Sequence, residues 1–360
     1  MNNNNNTRIK SNGASGAKAR VIKLALDVHA DSIVVRRQIE EAAPQPPQRM
    51  SWEQVERFAA KQTRLAGRVV CCYEAGPFGF GLHRKLVAMG IENLVVRPQN
   101  WDERGRRVKT DKTDAGAMLG RLDRYLAGNS EALGVVQVPE PEQEIARARS
   151  RQREQIRRAR QRLEAQGRTL MLGFGHRFKG RWWQPRRWAE ISPALPEPLS
   201  RMVESLRGLI LVLHEQVEAL GAELEEQGSA TGRILGLGKL TEAIIEREIL
   251  DWGGFKNRRA VGSITGLCPS EWSSGKSRRQ GSISKCGRPR LRHALIEAAW
   301  RLVGFQPDYG PVKKWAPVMA AGSSPARKKA AVAIARQLAV DLWRIRTGRT
   351  TAAALGLVTT

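Results

Sequence analysis

Val21-Ile22-Lys23-Leu24-Ala25-Leu26-Asp27-Val28 reads as an apolar strand with one acid near its end. A carboxylate in such a run is costly to bury unless a metal ion or hydrogen bonds receive it. After a short turn, Ser32-Ile33-Val34-Val35-Arg36-Arg37 gives a second strand, so the pair predicts a hairpin. Trp52 to Lys61 has helical spacing, Arg68 to Tyr73 is a buried strand, Gly79 to Met89 is helical, and Asn93 to Val96 is a short strand. Asp111 to Leu126 closes this unit as a helix, with Ala115, Met118, Leu119, Leu122 and Leu126 on one stripe. Alternating strands and helices predict an α/β domain over residues 21–138.

Four acids fall at telling places on this outline. Asp27 lies in the first strand, Glu74 ends a later one, and Asp111 and Asp114 stand on one face at the start of a helix. Each alone has an ordinary explanation: Asp27 could cap a strand turn, Glu74 could pair with Arg, and Asp111 could be an N-cap. Together they form a set of hard oxygen donors suited to Mg²⁺ or Mn²⁺, and such a site suits phosphoryl transfer. His29 is read as structural.

The acids stand out because the chain is strongly basic. Lys and Arg total 61 against 35 Asp and Glu, a formal net charge of +26 over 360 residues. That excess repels itself unless a polyanion neutralises it, which points to nucleic acid. No stretch approaches the ~20 apolar residues of a membrane span. Cys71, Cys72, Cys268 and Cys286 form no CxxC pair and have no His at metal spacing, which argues against zinc and fits a reducing cytoplasm. Residues 1–20, with an Asn run and no apolar core, predict a disordered tail.

Beyond Pro139 the character changes. Ala146 to Arg168 holds nine Arg against two Glu at helical spacing, a face that favours phosphate contact, with Arg157 and Arg158 as candidates. In the next helix Leu206, Ile210, Leu213, Val217, Leu220 and Leu224 alternate in steps of four and three, a coiled-coil seam. The two predict an antiparallel hairpin or a dimer arm as a linker over 139–228, and the seam offers an interface for a homo-oligomer. Trp182, Trp183 and Trp188 among arginines either stack on unpaired bases or anchor the linker as core.

A mainly α-helical C-terminal domain follows over 229–348, with 349–360 as a tail. Ile234 to Gly238 before Thr241 to Ile249 suggests a glycine turn that could approach phosphate. Gly262 to Gly287 reads as a loop, Pro289 opens a helix through Val303, and Ala326 to Ile345 is the last helix. The loop crowds Ser273, Ser274, Ser277, Ser282 and Ser284 beside Lys276, Arg278, Arg279, Lys285 and Arg288. Its commoner use is phosphate binding; the sharper one is a serine nucleophile with cations holding the developing charge.

These motifs carry a resemblance. Leu26-Asp27-Val28-His29, Tyr73-Glu74-Ala75-Gly76-Pro77 and Lys109 to Ala115, with Gly266-Leu267-Cys268-Pro269, Ser274-Gly275, Gly281 to Lys285, Gly287 and Leu291-Arg292, resemble the DEDD-type transposases of insertion-sequence family one-hundred-and-ten, relatives of the pilin-gene inversion recombinase. The resemblance implies an RNase H-like (RuvC-like) domain holding divalent metal with Asp27, Glu74, Asp111 and Asp114, and a C-terminal domain whose Ser274 links covalently to cleaved DNA. It also implies donor and target DNA as substrates and a structured guide RNA. The alternatives are a metal-only nuclease of the junction-resolvase kind, in which Ser274 only binds phosphate, and a non-catalytic nucleic-acid scaffold.

Overall fold

A computed structural model describes residues 18–98, 111–226, 233–274 and 277–360, without the side chains of 111–113 and 278. The chain divides into two units, Met1–Val138 and Pro139–Thr360.

The first unit is built on a five-stranded sheet. Its elements are β1 (Ala19–Val28), β2 (Ile33–Ile39), β3 (Gln48–Met50), α1 (Trp52–Leu65), β4 (Ala66–Glu74), α2 (Gly81–Ala88), β5 (Glu92–Val96) and α3 (Asp111–Leu126). The strand order is β3-β2-β1-β4-β5. β1 pairs antiparallel with β2 and parallel with β4, and β4 pairs parallel with β5. Ser51 starts α1 with a capping box: its hydroxyl accepts from the Gln54 amide and the Gln54 side chain accepts from the Ser51 amide.

β1 sends apolar side chains to both faces, interrupted at Lys23 and Asp27, because both faces are covered. Ile22, Leu24 and Leu26 point to the side packed by Val55 and Ala59 of α1 and Leu82 and Leu86 of α2. Ala25 points to the other side, where Val70 and Cys72 of β4 and Val96 of β5 meet Met118, Leu119 and Leu122 of α3. Strand parity therefore decides which residues face α3.

The second unit contains α4 (Pro141–Gly173), α5 (Pro185–Ile191), α6 (Glu197–Glu226), α7 (Lys239–Ile249), α8 (Arg258–Thr265), β6 (Pro269–Ser274), β7 (Ser277–Ile283), α9 (Pro289–Phe305), α10 (Gly310–Ala321) and α11 (Ser324–Arg346). α4 and α6 lie antiparallel: Arg149 is paired with Glu223, the Arg153 guanidinium donates to the Val217 carbonyl, and Arg160 meets His214. Val203, Ile210, Val217 and Leu224, spaced by seven, are the buried line of α6. That line packs within one chain and takes in Ile210, Val217 and Leu224 of the expected seam, while Leu206, Leu213 and Leu220 are partly buried.

Trp182, Trp183 and Trp188 are buried with Met171, Ile191, Leu199 and Val203. The Trp182 ring lies where a Cβ on Gly167 would be, 2.3 Å from its Cζ2, and its Nε1 donates to the Glu164 carbonyl. These rings anchor the hairpin and are not a stacking surface.

Two expectations change. The described residues of 262–287 are not all loop: they complete α8 and form the paired strands β6 and β7, whose described side chains beyond Ser270 are mostly exposed, so no apolar alternation announced them. Residues 349–360 fold back. Leu357 is buried, Gln306 receives and donates hydrogen bonds at Val358, and the Thr360 amide donates to the Arg233 carbonyl. Among the described residues no helix is long and apolar enough to cross a membrane.

Candidate functional site

The carboxylates are placed by the sheet. Leu26 and Tyr73 are partners in the parallel β1–β4 register, and Asp27 and Glu74 are the next residues on those adjacent strands. By parity with Ala25 and Cys72, both belong to the face covered by α3. Both are partly buried. On α3, Asp114 precedes buried Ala115 and lies one turn before Met118, on the same sheet-facing stripe.

Two contacts set the direction of α3. Near its C-terminal end Asp123 pairs with Lys23 of β1, and nearer its start Gly116 lies against the guanidinium of Arg36, the β2 residue opposite Ala25. From Lys23 to Asp27 a strand advances about 13 Å. From Asp123 back to Asp114 a helix advances about 13.5 Å. By these rises α3 runs against β1 and Asp114 falls at about the height of Asp27.

His29 stands beside this edge, with Nε2 3.3 Å from Oδ2 of Asp27. Its turn is pinned by the His29 amide donating to the Ser32 carbonyl and by the Trp52 indole donating to the carbonyls of His29 and Ala30. Sequence spacing alone does not show this contact. The Asp111 side chain lies outside the described residues. Among those residues no three His, Cys, Asp or Glu side chains gather closely enough to hold a metal ion. Carboxylates are the donor type that a hard cation takes, and Asp27 and Glu74 stand at neighbouring strand ends on one sheet face.

Ser274 ends β6 and pairs with Ser277 of β7. It is exposed, whereas the Ser273 hydroxyl donates to Glu271 at 2.7 Å. Lys276 and the Arg278 side chain lie outside the described residues; Arg279 and Lys285 are exposed. The base of the hairpin is clamped to the end of α8. Ser284 donates to the Cys268 carbonyl, Lys285 to that of Gly266 and Arg288 to that of Ile264. Gly287, at φ 155°, is required there, since a Cβ would stand 2.4 Å from the Ile264 carbonyl oxygen. Arg292 donates to the Lys285 carbonyl, and Leu291 is fully buried. The glycine and Leu-Arg positions of the motif thus hold the hairpin in place.

The other predicted cations divide. Arg157 and Arg158 both donate to Glu154. Burial alone would raise the Glu154 carboxyl, but these bonds bring it down to about 2. Arg158 stays exposed, and both line a small cavity with Arg290 and Arg301. Arg288 is half-buried near Arg147 and Glu248, and burial, with repulsion from Arg147, pushes it down to about 10.

A larger basic concavity was not legible in the sequence. Lys256, Arg258 and Arg259 at the start of α8 and Arg336, Arg344 and Arg349 at and beyond α11 line a cavity of about 1010 Å³. Among the described residues, none that lines it is acidic. Arg349 lies over the Trp343 ring at 4.1 Å. Its cations come from segments far apart in sequence, so no charge run announces it.

Residues 232–310, which include the hairpin, match the family model described as the transposase IS116/IS110/IS902 family. The protein y4rJ of Sinorhizobium fredii, named as a transposase, is 29% identical over 323 residues, 81% of this chain and 80% of its own length. A second Sinorhizobium fredii protein so named, y4qE, is 32% identical over 265 residues, 69% of this chain and 64% of its own. The transposase for insertion sequence element IS1533 of Leptospira borgpetersenii is 24% identical over 302 residues, 78% of this chain and 85% of its own.

Proposed function

We propose that this chain is an insertion-sequence transposase of the IS116/IS110/IS902 type, a reading supported by its matched segment and its relatives, and that it cuts and rejoins DNA with a serine nucleophile and an acidic metal site. The observation that carries the reading is that Asp27 and Glu74 end neighbouring parallel strands on the face that also receives Asp114. The sheet order β3-β2-β1-β4-β5 supports an RNase H-like reading of the first unit.

In the proposed reaction Ser274 Oγ gives up its proton to a base and bonds to phosphorus. The bond from phosphorus to one DNA oxygen breaks, and that oxygen takes up a proton as it leaves. Attack by a DNA hydroxyl on the phosphoserine then restores a phosphodiester and frees the serine. Arg279 and Lys285 are the described cations of the hairpin region available to the phosphate oxygens. Asp27, Glu74, Asp111 and Asp114 are the oxygens that would hold Mg²⁺ or Mn²⁺, which would supply Lewis-acid polarisation of phosphate. The basic cavity adds a backbone-binding surface. Donor and target DNA as joint substrates, a structured guide RNA and assembly of copies complete the proposal, supported by the net charge of +26 and the need of strand exchange for two duplexes.

The test is a denaturing gel of labelled DNA incubated with full-length protein and Mg²⁺. A covalent adduct is expected with the unaltered chain and with Ser273→Ala, and none with Ser274→Ala. Cutting that survives Ser274→Ala and never yields an adduct would show that water is the nucleophile and that the serine only binds.

A further inference from the structure

Trp272 is the most exposed large hydrophobic side chain among the described residues, at 66%. It sits on the β6–β7 hairpin opposite Arg279, and Ser274 sits opposite Ser277. Paired residues project to the same side of a hairpin, and so do residues two apart on a strand. Trp272, Ser274, Ser277 and Arg279 therefore share one face. The ring is not loosely attached: a Cβ on Gly281 would stand 2.5 Å from Trp272 Cζ3, so the glycine leaves room for the indole to lie across β7. Among the described aromatic side chains of this unit, Trp182, Trp183 and Tyr309 are buried; Phe174, Phe305 and Trp300 are exposed to a lesser degree than Trp272, and none of those three lies on the hairpin.

We propose that Trp272 is a positioning residue that stacks on an unpaired DNA base next to the phosphodiester held at Ser274, with Arg279 on the adjoining phosphate. The proposal rests on the functional reading above. Two residues along a strand span about 6.7 Å, comparable to the spacing of successive phosphates in an extended single strand. An indole face accepts any base, and an arginine beside it supplies the counter-charge, the combination that grips single strands without reading sequence. A hydroxyl, a cation and a flat apolar ring on one hairpin face match the three parts of a nucleotide.

The test uses full-length protein carrying Ser274→Ala, which cannot form the proposed adduct. The probe is a mixed-sequence single-stranded 12-mer with a central 2-aminopurine, at about 0.3 M salt to suppress contacts made by phosphate alone. Trp272→Ala is expected to weaken binding about tenfold and relieve the 2-aminopurine quenching, while Trp272→Phe retains most of both. Binding and quenching unchanged in Trp272→Ala would overturn the proposal. So would a change in sedimentation with quenching intact, which would make the ring a contact between copies. If instead the single Ser274→Ala chain still cuts DNA, the nucleophile reading fails while the stacking readout stands on its own.

Discussion

Lys23 of β1 and Asp123 of α3 form an ion pair in which the lysine is buried and the aspartate half-exposed. The pair fixes the register of the helix on the strand, and through that register the height of Asp114 above Asp27. Removing the acid leaves the buried ammonium with the Glu40 carbonyl and the more distant Glu41 carboxylate, at a cost of about 3 kcal/mol or less. Removing the lysine leaves a carboxylate that water can reach. Asp123→Ala is therefore expected to lower the urea midpoint more than Lys23→Met, and a reversed order would show that the pair does not index α3.

Replacing the strand-end acids with their amides changes charge with little change in shape. Asp27→Asn and Glu74→Gln are each expected to lower strand cutting by about a hundredfold or more, with DNA binding unchanged in a gel shift. Chelation of divalent metal should have the same effect. Equal cutting by these variants and the unaltered chain would remove the acidic site from the reaction.

The basic cavity should reveal itself in salt dependence. Each phosphate contact contributes a slope of about 0.9 in a plot of log affinity against log salt. Arg336→Ala combined with Arg344→Ala should flatten that slope by about 1 to 2 for duplex DNA and weaken binding across sequences. An unchanged slope would mean that the concavity takes no phosphate.

Gly167 offers a test of packing. Alanine is the better helix former by about 1 kcal/mol, yet at this position its methyl would meet the Trp182 ring. Gly167→Ala should therefore destabilise the second unit by about 1–3 kcal/mol in chemical denaturation, whereas Gly173→Ala, with open space around it, should not.

Glu154 links stability to pH. Its carboxyl is held down at about 2 from an ordinary 4.5 by Arg157 and Arg158. A depressed acid contributes stability above its unfolded value, and that contribution fades as pH falls through its folded value. The stability gap between the unaltered chain and Glu154→Gln should thus be constant above about pH 5 and shrink from about pH 4.5 towards 2. A gap that persists at pH 2 would contradict the pairing.

How much of this was legible follows from how each part is buried. The strand bearing Asp27 could be read because both of its faces are covered, leaving an apolar run broken before Asp27 only at Lys23. The span of α3 was read without error from its stripe. The β6–β7 hairpin was not, because its mostly exposed Ser and Arg side chains follow no period. β3 is three residues long and polar at its start, and Pro317 inside α10 breaks the helical pattern. Spacing placed Asp27 and Glu74 at strand ends, but only the pairing register made them neighbours. The cavity cations, spread from Lys256 to Arg349, become a group through tertiary packing alone.

The buried line of α6 has a consequence for assembly. Because Val203, Ile210, Val217 and Leu224 already face their own hairpin, a second molecule could use that line only by trading helices with the first, each α6 settling on the other's α4. Such an exchange would have to open the connection that carries Trp182, Trp183 and Trp188, which are buried together with Met171 of α4 and with Leu199 and Val203 of α6. Union without exchange would fall to the outward side of the helix, where Met202, Leu209 and Val212 remain in solvent.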